Sequence, residues 1–188
     1  MKKIIIGMLA LLMAVSVNIA NAQSTQDSKA QQKQERLERK QEKALQKQEM
    51  QEKLMELVKN QSFVLEADAL YDRYRNRYNA TANNFIMLDG DRVVLQTAFP
   101  SGIGYNGLGG ITVDGRLVDY EVKTRNDKSI SITAQISSTI LGHGMITMHI
   151  GSTGYADATF SDNWGNRISF SGRIHSLEDS SLFEGMSI

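Results

Sequence analysis

The chain has 188 residues, with 21 basic and 21 acidic side chains, no cysteine, one proline and one tryptophan. This length suits one modest domain, and the balanced charge argues against a nucleic-acid binder that relies on a positive field. The lack of cysteine excludes disulfides, thiolate-bound zinc, iron–sulfur clusters and a thiol nucleophile.

Residues 1–22 have the three regions of a secretory signal peptide. Lys2 and Lys3 give the positive start, residues 4–17 form an uncharged apolar run, and Ala20-Asn21-Ala22 is an A-x-A cleavage motif. The run is shorter than the ~20 residues that span a bilayer, which disfavours a membrane anchor. We therefore expect cleavage after Ala22 and an exported protein, periplasmic or secreted, without stable membrane insertion.

Residues 23–60 form a charged arm without aromatic residues, glycine or proline, rich in Gln, Lys and Glu. These residue types favour helix, and pairs such as Glu35 with Arg39 stand four apart in the stabilising order. The apolar positions sustain no heptad, so we expect a solvated helix in a monomer rather than a coiled coil, with disorder from Gln23 to about Gln32. Only the last two turns, from about Leu54, are apolar enough to dock on the domain after the arm.

Residues 61–188 are predicted to form the folded domain. They contain all the aromatic residues and all the glycines except Gly7, with ten basic and 14 acidic side chains. Apolar residues alternate with polar ones in Ser129–Ser137 and Arg167–Ile174, the period of half-buried strands. Further strand candidates are Phe63–Asp68, Phe85–Leu88, Arg92–Phe99, Met145–Ile150 and Tyr155–Phe160.

Two Asp-Gly pairs, Asp89-Gly90 and Asp114-Gly115, predict type I′ hairpins. Pairing across the second places Ile111 opposite Val118 and assigns Ile111, Val113, Val118, Tyr120 and Val122 to one core face.

The spacing of these candidates predicts an all-β antiparallel meander that closes into a barrel of about eight or nine strands. A two-sheet sandwich is the alternative. Helix is expected in the arm and in a short segment at Ser180–Gly185.

Several stretches of the domain form a distinctive set: Phe63–Asp68, Asn84–Ile86 followed by Asp89-Gly90-Asp91, Leu95-Gln96, and above all Gly104-Tyr105-Asn106-Gly107-Leu108-Gly109-Gly110. In these stretches the chain resembles an uncharacterised family of small exported proteins from Bacteroidetes-type bacteria. The resemblance implies a lipocalin-like barrel of unknown function and supplies no catalytic residue.

The same glycine-rich stretch matches G-x-G-x-x-G over residues 102–107. A dinucleotide site needs a helix directly after the glycines, whereas a β-branched strand follows here. Two interpretations remain: a tight loop between strands, or a binding loop at the barrel mouth. In the second, Gly104, Tyr105, Asn106 and Gly107 leave an aromatic face and an amide free for a ligand.

Other polar residues predict no metal site. His143 and His149 share a strand face but lie about 20 Å apart, His175 is near the far end of the domain, and Asp89 and Asp91 are explained by a hairpin. Tyr71–Tyr78 alternates tyrosine with arginine, and we expect a linker whose tyrosines cover the barrel end; contact with an anionic envelope component is the alternative.

No nucleophile elbow or S-x-x-K motif is present, so we expect a non-enzymatic protein without cofactor or metal and without nucleic acid as a partner. The favoured function is the binding of a small apolar or amphipathic ligand in the barrel, where Ala134, Ala156, Ala158 and Gly172 leave room. A packed barrel acting as a structural or protein-interaction module of the envelope is the alternative, and an enzyme of unknown type is a second.

Overall fold

The computed structural model describes residues 2–80, 83–99 and 104–187, with side chains from residue 31 onwards. Within these residues one helix precedes nine strands. They are α1 (Lys2–Lys59), β1 (Ser62–Tyr71), β2 (Arg77–Asn79), β3 (Phe85–Asp89), β4 (Arg92–Gln96), β5 (Thr112–Thr124), β6 (Ile130–Ser138), β7 (Gly142–Ile150), β8 (Tyr155–Asp162) and β9 (Arg167–His175). The chain forms two compact units, Met1–Gln46 and Lys47–Ile188, and the second contains the last turns of α1 and every strand.

Eight antiparallel strands close into a barrel in the order β1-β3-β4-β5-β6-β7-β8-β9, with β9 pairing back onto β1. β3 pairs with Ser62–Glu66 of β1, and the short β2 pairs with Ala69–Tyr71 farther along the same edge. This confirms the predicted all-β meander, the lipocalin-like barrel of eight to nine strands, and the helical arm before it.

The alternation predicted for β6 is observed. Ile130, Ile132, Ala134 and Ile136 are buried, while the residues between them face outward. They belong to a continuous core to which the last turns of α1 and seven of the barrel strands contribute fully buried side chains. Because inward residues alternate along a strand, a simple period of two was enough to identify this part of the core.

The hairpin predicted at Asp114-Gly115 is wrong, because both residues lie inside the continuous strand β5. The first part of β5 pairs with β4 and the rest with β6, so the strand must run on through the glycine. A β-bulge at Val118 then changes which positions of β5 face the core. Odd-numbered residues such as Val113 and Leu117 face inward before the bulge, and the even-numbered Tyr120 and Val122 face inward after it. Val118 is consequently exposed, against its predicted place in the core.

A hairpin is present where Asp89-Gly90 predicted one, but its two-residue loop is shifted by one residue along the chain. Asp89 pairs with Arg92, so the two-residue loop is Gly90-Asp91, and only Gly90 has a positive φ, of 59°. A glycine at the first loop position with an ordinary φ at the second is the type II′ arrangement rather than the predicted type I′.

The last turns of α1 dock on the barrel, as predicted from Leu54 onwards, and close one end of it. Leu54 and Val58 are fully buried in the core, and the Tyr120 hydroxyl donates a 2.9 Å hydrogen bond to the Val58 carbonyl. We call this the helix end; the turns β3–β4, β5–β6 and β7–β8 lie there too. The opposite end, the loop end, carries the connections β1–β2, β4–β5, β6–β7 and β8–β9.

α1 also includes Gln23–Gln32, for which the sequence predicted disorder. The good helix formers of the arm continue the helix without a break, supported by side-chain bonds such as Gln34 to Glu38. Among the residues with described side chains, no helix has the length and apolarity needed to cross a bilayer.

Residues 176–187 form a strap along the outside of the barrel, with a turn at Glu178-Asp179; the helix predicted at Ser180–Gly185 is not observed. Leu177 and Leu182 pack on a second apolar cluster formed by outward side chains of β1, β3 and β4. These are Val64, Phe85, Met87 and Val94. The backbone of the strap is bonded to Gln96: the Phe183 carbonyl accepts from the amide nitrogen, and the Gly185 N–H donates to the amide oxygen.

Candidate functional site

A pocket of about 470 Å³ opens at the loop end of the barrel. Its wall is mostly apolar, with polar groups at one side. The lining residues are Leu95, Thr97, Phe99, Gly104, Gly109, Gly110, Ile111, Leu141, Phe160, Asp162, Asn166, Arg167 and Ile168. They come from the β4–β5, β6–β7 and β8–β9 connections and the adjoining strand ends, so the pocket lies in the mouth of the barrel.

The glycine-rich stretch forms one side of this pocket, and its glycines are required by close backbone contacts. A Cβ on Gly104 would lie 2.1 Å from the Gly110 nitrogen, and a Cβ on Gly110 would lie 2.0 Å from the Thr97 carbonyl oxygen. Gly107 and Gly109 have φ of 76° and 80°, which favours glycine. The stretch is therefore a tightly folded loop that leads into β5, as the tight-loop interpretation predicted; Gly102 and Ile103 of the G-x-G-x-x-G match lie outside the described residues.

Asn106 is the centre of this loop. Its side chain is buried, and its amide nitrogen donates to the Thr97 carbonyl at 2.9 Å and to the Thr112 hydroxyl at 3.2 Å. Its amide oxygen accepts from the N–H groups of Leu108 and Gly110, at 3.0 and 3.1 Å. The expectation that this amide is free for a ligand is wrong, because the four hydrogen bonds saturate it.

The other predicted loop residues are placed differently. Gly104 lines the pocket, whereas the Tyr105 side chain is 80% exposed and does not line it. Gly107 faces the strap, with Met186 4.0 Å from where its Cβ would be. The structure thus brings one of the four predicted residues to the pocket wall and leaves the aromatic side chain at the surface beside it.

Gln96 links the pocket side of the barrel to the strap. The side chain is completely buried; its nitrogen donates to the carbonyls of Asn83 and Phe183, and its oxygen accepts from the Thr112 hydroxyl and the Gly185 N–H. Because Thr112 also accepts from Asn106, Gln96, Thr112 and Asn106 form one buried polar network beneath the glycine loop. A buried network in which each member has its partners holds its parts in fixed positions.

The β8–β9 turn forms the polar side of the pocket and is organised by Asp162. The carboxylate accepts from the N–H groups of Trp164 and Asn166, both at 2.9 Å, and from the Asn166 amide at 2.7 Å. Burial opposes ionisation, but these hydrogen bonds outweigh it and hold the pKa of Asp162 below its usual value. The turn holds Trp164 outward, where 80% of its side chain is exposed.

The β1–β2 turn repeats this construction. Asp72 accepts from the N–H groups of Tyr74 and Asn76 and from the Asn76 amide, at 2.8 to 2.9 Å. The fourth residue has a positive φ in both turns, 66° at Arg75 and 82° at Gly165. The sequences D-R-Y-R-N (72–76) and D-N-W-G-N (162–166) are therefore two copies of one turn type, each with an exposed aromatic residue at its third position.

The Tyr/Arg stretch is thus a hairpin and not the predicted linker. Tyr78 on β2 contacts Phe99 of the pocket wall edge-on, with ring centroids 5.6 Å apart. Tyr74 points away from the barrel, 70% exposed, with the Arg73 guanidinium 4.7 Å above its ring. Tyr78 therefore covers part of the barrel end, as expected of these tyrosines, while Tyr74 and the arginines are exposed.

The histidines and the Asp89/Asp91 pair are not part of the pocket lining. His149 faces outward on β7 between Ser131 and Asp157, and His143 lies at the exposed start of the same strand. Among the described side chains, no three metal-ligating groups come together.

Residues 45–174 match the domain family described as "Domain of unknown function (DUF4251)". The chain belongs to the DUF4251 family. A crystal structure of a DUF4251 family protein from Bacteroides eggerthii is similar to this chain, with 28% sequence identity and a TM-score of 0.56. The match covers 70% of this chain and 90% of that one. No curated protein matches this chain significantly.

The DUF4251 match ends at residue 174, so the strap lies outside it although the strap covers the second apolar cluster on the outside of the barrel. Sequence reasoning missed the strap and the buried role of Gln96 and Asn106. It also missed the two equivalent Asp turns, although the repeated D-x-aromatic-x-Asn spacing was a signal that could have revealed them.

Proposed function

We propose that this DUF4251 protein is a non-enzymatic binding protein of the cell envelope that holds a small apolar or amphipathic ligand in the mouth of its barrel. The observation that carries the proposal is the apolar pocket of about 470 Å³ at the loop end, opposite the end that α1 closes. This volume is within the range of about 300–1,000 Å³ that ligand pockets occupy.

The shape of the core limits the size of the ligand. Ala134, Ala156 and Ala158, expected to leave room, are buried members of the continuous core with Phe63 and Phe170. Gly172 also provides no space, because a Cβ there would lie 1.9 Å from the Glu66 carbonyl oxygen. A ligand would therefore sit in the mouth of the barrel and not run along its axis as in a hollow barrel.

The polar side of the pocket favours binding over catalysis. Asp162 is the one carboxylate in the lining, and its oxygens already accept hydrogen bonds from its own turn. A carboxylate with a lowered pKa and occupied oxygens is a poor general base. Arg167 lies at the same side, where its cation suits the anionic head of an amphiphile.

Binding of dansyl-labelled undecanoic acid tests the proposal, with fluorescence titration as the measurement. Leu141→Trp fills the pocket from its wall and should weaken binding by about tenfold or more, since overpacking costs roughly 1–3 kcal/mol. Val118→Trp is the control: the residue lies on the outside of β5, is 59% exposed and is not in the pocket lining, so affinity should not change. Equal affinities for the wild type and both variants would contradict the pocket as the binding site.

A protein-interaction module of the envelope is the second candidate function. It is favoured by the packed core beneath the pocket, which makes the barrel a rigid support for its loops. If the labelled acid does not bind, and native mass spectrometry of protein purified from its own host finds no retained small molecule, this candidate replaces the first.

The envelope location rests on the n-, h- and c-region pattern of residues 1–22. Amino-terminal sequencing of the exported protein should find Gln23 as its first residue. An intact Met1 in the exported protein would contradict cleavage after Ala22.

A further inference from the structure

Large exposed side chains gather at the loop end of the barrel. Tyr74 lies on the β1–β2 turn, Tyr105 on the glycine loop, Ile140 on the β6–β7 turn and Trp164 on the β8–β9 turn. Their exposed fractions range from 48% for Ile140 to 80% for Tyr105 and Trp164. One large apolar or aromatic side chain thus projects from each of the four connections at this end.

These four positions surround the pocket mouth. Tyr105 follows Gly104, Ile140 precedes Leu141, and Trp164 lies between Asp162 and Asn166, all of which line the pocket. The β1–β2 hairpin joins the group through the contact of Tyr78 with Phe99. Each exposed tip is held by an ordered turn or hydrogen-bonded loop, so the arrangement is built into the backbone.

Basic side chains outnumber acidic ones at the loop end, and the basic ones form no ion pairs among the described residues. These are Arg73, Arg75, Arg77 and Arg167, all exposed, whereas Arg92 and Arg116 do form ion pairs. The two carboxylates at this end, Asp72 and Asp162, accept hydrogen bonds from their own turns. The rest of the domain is anionic, since residues 61–188 carry ten basic and 14 acidic side chains in all.

From this geometry we propose that the loop end docks on the surface of a bilayer containing anionic lipids, with Tyr74, Tyr105, Ile140 and Trp164 entering the headgroup layer. Trp and Tyr prefer this layer because they combine an apolar ring with a polar group. Arginines near the surface are attracted to anionic headgroups. The inference goes beyond ligand binding and does not rest on it, because the docking groups project outside the pocket.

Trp164 makes the proposal directly measurable, because it is the one tryptophan of the chain and lies at the proposed contact. Its emission should shift to shorter wavelength when the protein meets vesicles of phosphatidylcholine with phosphatidylglycerol. Brominated lipids should quench it, and pure phosphatidylcholine should have a much smaller effect. All the proteins compared have the same amino-terminal residues, so any binding of α1 to the vesicles is the same in each of them.

Three variants locate the contact by vesicle co-sedimentation. Tyr74→Ala, Tyr105→Ala and Trp164→Ala combined should reduce binding about tenfold or more, because the rings no longer enter the headgroup layer. Arg73→Gln, Arg75→Gln and Arg77→Gln combined should have a similar effect through loss of charge, and none of these arginines lines the pocket. The control changes cations and an exposed apolar residue away from the loop end and should bind as the wild type does. It combines Arg125→Gln, Lys128→Gln, Arg173→Gln and Val118→Ala.

Unchanged Trp164 emission with anionic vesicles would overturn the proposal, as would equal loss of binding in the control variant. A Trp164 shift produced by soluble polyglutamate but not by vesicles would also overturn it, in favour of an acidic polypeptide partner. Binding of the labelled fatty acid is measured separately without vesicles, so failure of docking and failure of the pocket are distinguishable.

Discussion

The side-chain nitrogen of Asn106 donates a 2.9 Å hydrogen bond to the main-chain carbonyl of Thr97, fastening the glycine loop to the residue after β4. The loop that was expected to offer its amide to a ligand uses that amide to hold its own shape. The pocket wall therefore depends on a buried side chain that does not line the pocket itself.

Replacing Asn106 by alanine should destabilise the fold by about 1–3 kcal/mol, since buried partners such as the Thr97 carbonyl lose their hydrogen bond. Tyr105→Ala, one position earlier and exposed, should change the free energy of unfolding by less than about 0.5 kcal/mol. Urea unfolding of both variants measures the difference. An Asn106→Ala protein as stable as the wild type would show that the network is not needed for folding.

The end of α1, but not its earlier part, should contribute to stability. Leu54→Ala should cost roughly 2–5 kcal/mol because it opens a cavity in the core. Leu45→Ala, at an exposed position of the same helix, should be nearly neutral. Thermal unfolding compares the two, and a large effect at Leu45 would indicate an unrecognised contact of the arm.

The strap should protect the outer apolar cluster. Leu177→Ser with Leu182→Ser should lower the free energy of unfolding by roughly 2 kcal/mol and increase the binding of a hydrophobic dye, because Val64 and Phe85 lose their cover. Phe183→Ser, in the same strap but 61% exposed, is the control. Equal dye binding by all three proteins would mean that the strap does not shield the cluster.

Stability should fall in alkaline solution because of Tyr120. Burial raises the pKa of its hydroxyl above the value of about 10 found in unfolded chains. The folded state therefore retains a proton that the unfolded state loses, so this contribution is complete below about pH 10 and declines as the pH rises toward the folded pKa.

Tyr120→Phe tests this dependence. The variant loses the hydrogen bond to the Val58 carbonyl and should be less stable at neutral pH by about 1 kcal/mol. Its stability should also decline less than that of the wild type above pH 10, measured by urea unfolding at several pH values. Parallel alkaline declines would exclude Tyr120 as a cause.

The fold was predictable where one local rule decides the structure. Alternation in Ile130–Ser138 and the glycine at position 90 both act within a few residues, so the strand and the hairpin could be predicted. Asp114-Gly115 failed because the same dipeptide that favours a turn can lie inside a strand when two neighbours pair with it. The bulge at Val118 then moved the inward positions by one residue.

The site was predictable only in part, because its polar contacts join distant segments. Gln96 bonds to Phe183 and Gly185 across nearly 90 positions, and no local pattern signals such a pairing. The glycine loop was found from its composition, yet composition does not say which side chains turn inward. Tyr105 is exposed, as a free aromatic face required, but Asn106 is buried, so only one of the two side chains is accessible.

The pairing of β1 with β9 has a consequence for how the chain folds. Val64–Tyr71 must meet Ser169–His175, so the barrel cannot close until almost the whole sequence is available. Contacts between such distant positions are slow to form, and folding of such β topologies takes about milliseconds to seconds. Until that closing pair forms, the first and last strands each retain an unsatisfied hydrogen-bonding edge, and the unfinished barrel is open to pairing with other chains.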